Sequence, residues 1–117
     1  MSGKQAFYRP DYCWLGRAVV TSEAEGWYEF ASRTVPSGRR WVITGVILTA
    51  DAARDFKLTI NDETKRYFGL VAGEPVVVPF SQPIVAKSGD TVKIWLYLSA
   101  AETVALVYSV EGREESI

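Results

Sequence analysis

Hydrophobic and polar residues alternate in short runs along most of the chain. The clearest run, DFKLTIN, alternates Phe56, Leu58 and Ile60 with polar side chains. A repeat of two residues places apolar side chains on one face of a β-strand and polar side chains on the other. No long segment shows the spacing of an amphipathic helix. The pattern therefore predicts an all-β protein.

Further candidate strands follow one another at short intervals. They cover residues 16–22, 26–35, 41–50, 55–61, 65–71, 75–80, 83–87, 91–100 and 103–112. Turn sequences such as VPSGRR, NDET and KSGDT separate several of them, because Gly adopts positive φ and Asn, Asp and Ser bond their own backbone. Many short strands with frequent turns are typical of two packed antiparallel sheets. The predicted fold is an antiparallel, jelly-roll-like β-sandwich of about eight strands.

The first fifteen residues differ from the rest of the chain. Pro10 lacks an N–H group and restricts the residue before it, which disfavours a regular internal strand. We therefore predict an extended N-terminal arm over residues 1–15 and a β-sandwich domain over residues 16–117. The aromatic side chains of the arm are predicted to contact a neighbouring subunit; these are Phe7, Tyr8, Tyr12 and Trp14. The alternative is an arm that folds back on its own sandwich.

The segment TVKIWLYLSA (91–100) has two unusual faces when it is read as a strand. One face carries only aliphatic side chains, namely Val92, Ile94, Leu96 and Leu98. The opposite face presents Trp95 and Tyr97, two aromatic side chains that a strand with one face in water does not ordinarily expose. The aliphatic face suits a sandwich core. Some other group must then cover Trp95 and Tyr97.

The last candidate strand repeats the pattern of the segment before it. Its inner face is predicted to carry Val104, Leu106, Tyr108 and Val110. If the two strands pair, Ala105 and Val107 join Trp95 and Tyr97 in one apolar outer patch. We predict that Trp95 and Tyr97 contact another protein chain, because Trp and Tyr are typical interface anchors. Two alternatives remain: the chain covers both rings itself, or a sugar stacks on them.

Composition narrows the range of functions. The net charge is −1, so no global field favours nucleic acid or an anionic membrane. No segment approaches the ~18 consecutive apolar residues of a membrane span. Cys13 is the single cysteine, which excludes an intramolecular disulfide and suits a reducing compartment. The N-terminus lacks the apolar core of a signal peptide, and we therefore expect synthesis in the cytoplasm.

No residue pattern indicates an enzyme. The chain has no histidine, which removes the commonest general base and the commonest metal ligand. No nucleotide-binding glycine motif and no calcium-binding loop is present. The sequence predicts no catalytic residues, no cofactor and no metal site.

The order of motifs in residues 35–112 resembles that of small β-sandwich virion proteins of tailed bacteriophages. These motifs are Val-Pro-Ser-Gly before an apolar strand, a strand ending in Ile-Asn, Ser-Gly-Asp-Thr before another strand, and a final Val-Glu-Gly. The group includes capsid decoration (cement) proteins and head or tail accessory proteins. The resemblance implies a non-enzymatic homo-oligomer, with a trimer favoured, that binds the major capsid protein or another virion protein. It also implies localisation in the virion, after synthesis in the host cytoplasm.

The leading hypothesis from the sequence is therefore a capsid decoration protein that stabilises the particle by bridging neighbouring subunits. The alternative is a carbohydrate- or receptor-binding module on a phage tail. A dry protein contact over Trp95 and Tyr97 favours the first. An open groove lined by aromatic side chains and Asn, Asp or Gln favours the second.

Overall fold

Eight β-strands contain most of the residues that the computed structural model describes, which are residues 12–51, 53–69 and 75–117. No helix occurs among those residues. The strands are β1 (Tyr12–Thr21), β2 (Gly26–Thr34), β3 (Arg39–Ala50), β4 (Asp55–Ile60), β5 (Glu63–Gly69), β6 (Val76–Ala86), β7 (Thr91–Leu98) and β8 (Thr103–Ser116). The predicted segments 75–80 and 83–87 form one strand, β6, whose pairing with β3 changes register between them.

The strands form two four-stranded antiparallel sheets. Sheet A has the order β1-β8-β3-β6, and sheet B has the order β2-β7-β4-β5. This is the strand order of a double-sheet jelly roll. The predicted fold class, an antiparallel jelly-roll-like sandwich, is confirmed.

The inner faces of the two sheets form the core, as the alternation predicted. The inward residues of β7 are fully buried, namely Val92, Ile94, Leu96 and Leu98. The inward residues of β8 are also buried, with only small exposed fractions. Consecutive strands β7 and β8, however, lie in different sheets and do not pair. The predicted single patch is therefore wrong: β7 presents its aromatic side chains on sheet B, and β8 presents Ala105 and Val107 on sheet A.

The predicted boundary between arm and sandwich is also corrected. Strand β1 begins at Tyr12, which pairs with Glu111 of β8. Trp14 lies in the core, where only 5% of its surface is exposed. Its burial needs no neighbouring subunit, because the indole packs between side chains of its own sandwich. Phe7 and Tyr8 lie outside the described residues, so their predicted contacts stay a prediction.

The turns predicted from Gly, Asn and Asp are confirmed. Asn61 and Asp62 have φ values of 52° and 66°, so both central residues of the β4–β5 hairpin have the positive φ that a type I′ turn requires. Asn61 also ties this hairpin to the β6–β7 turn, since its side-chain amide donates to Asp90 Oδ1 over 2.9 Å. The other oxygen of Asp90 accepts a 2.9 Å bond from the backbone N–H of Lys87. These two bonds lower the pKa of Asp90, with the bond from Lys87 as the larger cause.

We expect Asp90→Asn to lower the free energy of unfolding at neutral pH by up to about 1 kcal/mol, because an exposed site loses its charge-assisted bonds. The pKa of Asp90 is lower in the folded protein than in the unfolded chain. The stabilisation from ionised Asp90 is therefore fully present above the pKa that Asp90 has in the unfolded chain. It is lost as the pH falls through the lower pKa that Asp90 has in the folded protein. Urea unfolding from neutral pH down to about pH 2 should show that the free energies of unfolding of the two proteins become equal in acid. A constant difference over that range contradicts this role.

Candidate functional site

Four aromatic side chains gather on the outer face of sheet B, at one end of the sheet. We call this surface, made of Trp27, Tyr67, Trp95 and Tyr97, the aromatic face. Strand pairing assembles it: Trp27 of β2 lies opposite Tyr97 of β7, and Lys57 of β4 lies opposite both Trp95 and Tyr67. The four residues come from three strands, β2, β5 and β7, and no single segment of the sequence contains more than two of them.

Side chains of the same sheet cover much of Trp95 and Tyr97. The indole N–H of Trp95 donates to Thr59 Oγ1 over 2.9 Å, and the Lys93 ammonium lies 5.6 Å from the ring. Tyr97 meets the edge of Trp27 at a centroid distance of 5.4 Å. Both rings remain half-buried. The predicted contact of Trp95 and Tyr97 with another chain is not needed to explain their cover, and it stays a prediction.

Lys57 fixes the arrangement of the two indoles. Its ammonium nitrogen lies 4.6 Å from the ring centre of Trp27 and 5.3 Å from that of Trp95. A cation over an aromatic face is attracted by the ring quadrupole. This contact favours the observed orientation of Trp27, whose ring also lies close to Tyr67. The centroids of Trp27 and Tyr67 are 6.1 Å apart, and the ring planes are inclined by 49°.

Tyr67 is the most accessible member of the aromatic face. Its side chain is 69% exposed, in a strand whose neighbouring residue Phe68 packs against the core. Leaving an aromatic ring this exposed forfeits the hydrophobic stabilisation that its burial gives. Tyr67, with the half-buried Trp27 beside it, thus presents an apolar surface to solvent on sheet B.

An open groove runs beside this pair. Its first part has a volume of about 390 Å³ and is lined by Trp27, Asp55, Phe56, Tyr67, Phe68 and Gly69. A second depression of about 350 Å³ shares Asp55 and Gly69 with it and extends to Tyr97, Ser99 and Glu102. The two depressions adjoin at these shared residues, and we call them together the groove. The groove therefore combines aromatic rings with carboxylate and hydroxyl groups.

Polar contacts fix the groups along the groove. Arg54 forms an ion pair with Glu102, and the Tyr97 hydroxyl donates to Glu25. The bond to Glu25 raises the pKa of Tyr97, so the phenol stays protonated at neutral pH. The Lys93 ammonium pairs with Glu29 at 3.4 Å and with Asp62 at 3.6 Å, and its pKa is raised, chiefly by its bond to Glu29. Lys93 therefore stays charged and Tyr97 stays neutral near neutral pH.

Within the described ranges, no group of three or more Cys, Asp or Glu side chains is placed to hold a metal ion. Burial, together with the carboxylates of Glu114 and Glu111, raises the pKa of the Cys13 thiol to about 12. A thiol that stays protonated is a poor nucleophile. The residues of the groove are suited to binding.

The sequence identified two of the four residues of the aromatic face. Trp95 and Tyr97 were found because they break the polar pattern of their strand. Trp27 and Tyr67 were missed, although GWYEF and KRYFG each place an aromatic residue beside another that points inward. The local signal was present, but the pairing that brings these segments together is a property of the whole sheet. Trp14 is not part of the site, and Phe7 and Tyr8 lie outside the described residues.

In the parts of the chain that the structure describes, there is no helix with the length and apolar character to cross a membrane.

No protein-family model matches the chain, and no curated protein matches it. Two solved structures are similar at a low level. One is the CBM36-1 domain of a multidomain xylanase from the hindgut metagenome of Trinervitermes trinervoides, with a TM-score of 0.48 and 12% identity, over 87% of this chain and 100% of that chain. The other is the carbohydrate-binding module CBM36 in complex with calcium and xylotriose, with a TM-score of 0.44 and 14% identity, over 87% and 91%. Similarity at this level assigns neither a family nor a ligand to this chain.

Proposed function

We propose that the protein is a non-catalytic carbohydrate-binding module. The observation that carries this proposal is the pair formed by the exposed Tyr67 and the half-buried Trp27, beside a groove that also holds carboxylate and hydroxyl groups. A pyranose ring has an apolar face of C–H groups and a rim of hydroxyl groups. Such a ligand requires an aromatic surface with a few fixed polar groups around it, which is also the general composition of small-molecule sites.

The geometry of the pair favours a soluble sugar chain. Because the planes of Trp27 and Tyr67 are inclined by 49°, they form no flat platform of the kind that would match a crystalline polysaccharide surface. A chain whose successive sugar rings turn relative to one another places one ring on each side chain. Lys57 keeps the orientation of Trp27 constant before the ligand arrives, which lowers the entropy cost of binding.

The polar groups of the groove supply the second part of recognition. The carboxylate of Asp55 lies in both parts of the groove and accepts hydrogen bonds from hydroxyl groups. Tyr97 and the Arg54–Glu102 ion pair line the second part of the groove. Two adjoining depressions of about 390 and 350 Å³ accommodate an oligosaccharide better than a single sugar. We therefore take an uncharged oligosaccharide of linked pyranose rings as the ligand class.

The test is binding of the full chain to a panel of soluble polysaccharides, including xylan, mixed-linkage β-glucan and galactomannan. Affinity electrophoresis identifies a binder, and tryptophan fluorescence titration with its oligosaccharides measures affinity, since Trp27 lies in the site. We expect Tyr67→Ala to weaken binding at least tenfold, which corresponds to about 1.4 kcal/mol. Its exposure means that the fold should be little affected.

Val77→Ala is the matched control, because this side chain is 63% exposed on sheet A, away from the groove. It should leave sugar affinity unchanged. Two results would contradict the proposal: no member of the panel binds, or Tyr67→Ala binds its polysaccharide as tightly as the unchanged protein does.

The virion role is the second candidate function. The observation that favours it is the exposed apolar outer face of sheet A, which carries Val19, Val77 and Val107. Large exposed apolar surfaces mark sites of protein association. On this proposal the protein binds the major capsid protein or another virion protein and stabilises the particle by mass action. A fixed stoichiometry on purified particles, lost when sheet A is altered, is the result that this role requires.

A further inference from the structure

The outer face of sheet A is an apolar surface with no cover from the described residues. We call it the valine face and define it by Leu15, Val19, Ile47, Val77, Ala105 and Val107. Val19, Val77, Val107 and Leu15 are 72%, 63%, 58% and 52% exposed. The residues are contiguous, because Val19 lies opposite Ala105 and Ile47 lies opposite Val77.

The valine face is also poor in charge. Arg17 is the one charged residue in the whole of β1 and β6, and β8 has none between Thr103 and Ser109. Protein surfaces normally carry many charges, whereas the centres of protein interfaces are depleted of them. A depression on this face, lined by Arg17, Val19, Thr49 and Val107 among others, has a volume of about 640 Å³. This space accommodates apolar side chains of a partner.

The size of the face matches the requirement of a modest dimer. Four strands at ~4.8 Å spacing and about eight residues at ~3.3 Å rise give a flat footprint of about 500 Å². Two copies packed face to face therefore bury about 1,000 Å² or somewhat more, since side chains add relief. Specific interfaces begin at about this area.

The exposed edge of β6 does not offer an alternative route to self-association. Pro79 and Pro83 lie in this strand and lack the N–H groups that a further strand would need. Two valine faces packed against each other do not repel each other strongly. Each valine face has Arg17 on its β1 side and the exposed Asp51, which follows β3, on the other side. Each copy thus presents both signs of charge to its partner.

We infer that a second copy of this chain covers the valine face, in an isologous face-to-face dimer. This inference goes beyond sugar binding and does not depend on it, because the aromatic face lies on the other sheet. It also differs from the trimer that the resemblance implies, since face-to-face packing of one surface accommodates two copies. It competes with the virion role, because a second copy and a capsid protein cannot cover the same face at once. In the dimer, four sheets stack and both aromatic faces point outwards.

Analytical ultracentrifugation of the full chain tests this inference. We expect a monomer–dimer equilibrium in the micromolar range. Val107→Lys should raise the dissociation constant at least a hundredfold, because each dimer then contains two lysines in its apolar centre. Tyr67→Lys is the matched control: it introduces the same charge at a residue of similar exposure on the opposite sheet, and it should leave the mass unchanged.

Val19→Lys provides a second variant if Val107→Lys does not fold, since Val19 is the most exposed aliphatic residue of the face. A protein that remains monomeric at all accessible concentrations overturns the inference. So does a trimer, and so does a dimer whose mass neither lysine variant changes.

Discussion

Trp14→Ala is expected to lower the free energy of unfolding by about 3–5 kcal/mol, the usual cost of emptying a core tryptophan site. The indole of Trp14 lies 5.3 Å from that of Trp41, measured between ring centroids, and meets Tyr108 edge-on at 6.4 Å. Its N–H also donates to the Tyr108 hydroxyl over 3.4 Å. Alanine at this position leaves a cavity between the two sheets and a tyrosine hydroxyl without that donor. Urea unfolding followed by circular dichroism measures the effect.

Tyr67→Ala is the control for this experiment, because it removes a large aromatic side chain that is mostly exposed. It should cost well under half as much. The same reasoning predicts that deletion of residues 1–15 destabilises the sandwich, because the deletion removes the start of β1 together with Trp14. If Trp14→Ala costs no more than Tyr67→Ala, the segment around Trp14 behaves as the arm predicted from the sequence and not as part of the core.

The elements and their buried faces could be predicted from local sequence, because side-chain alternation depends only on the strand itself. The inward residues of β7 were identified in this way, and all four are fully buried. The assignment of strands to sheets could not be predicted in the same way. The alternation of apolar and polar side chains in β7 and β8 is the same whether the two strands pair in one sheet or lie in different sheets. The short SAAE connection permits both arrangements. The patch expected from their pairing was therefore divided between two surfaces.

The candidate site shows the same limit at the level of single residues. Trp95 and Tyr97 stand out because they occupy a face of β7 that should be polar. Trp27 and Tyr67 acquire their importance from position, since Trp27 lies opposite Tyr97 and its ring reaches Tyr67 above Lys57. That contact joins the two outer strands of the sheet, β2 and β5. A pattern within one segment carries no information about such a contact.

Gly112→Ala is expected to destabilise the fold by about 3 kcal/mol or more, although it adds only one methyl group. A Cβ at this position would lie 2.0 Å from the carbonyl oxygen of Val42 and 3.0 Å from the Cα of Ile43. Both obstacles are backbone atoms of β3, so no side-chain rotation relieves the clash. The φ of Gly112 is 143°, which an L-residue rarely adopts. The residue lies beside the register shift between β3 and β8, where close approach of the two strands requires glycine.

Gly38→Ala is the comparison at a glycine with positive φ and no steric clash. Gly38 also has a positive φ, 78°, but an added Cβ there meets no atom within 4 Å. Its replacement should cost about 1–2 kcal/mol from backbone strain alone. The difference between the two variants, measured as the shift of the urea midpoint at constant slope, is the extra cost of the steric clash together with the more unusual φ of Gly112. Equal losses in the two variants would show that β3 moves away from Gly112 at little cost, and that the register shift does not depend on this glycine.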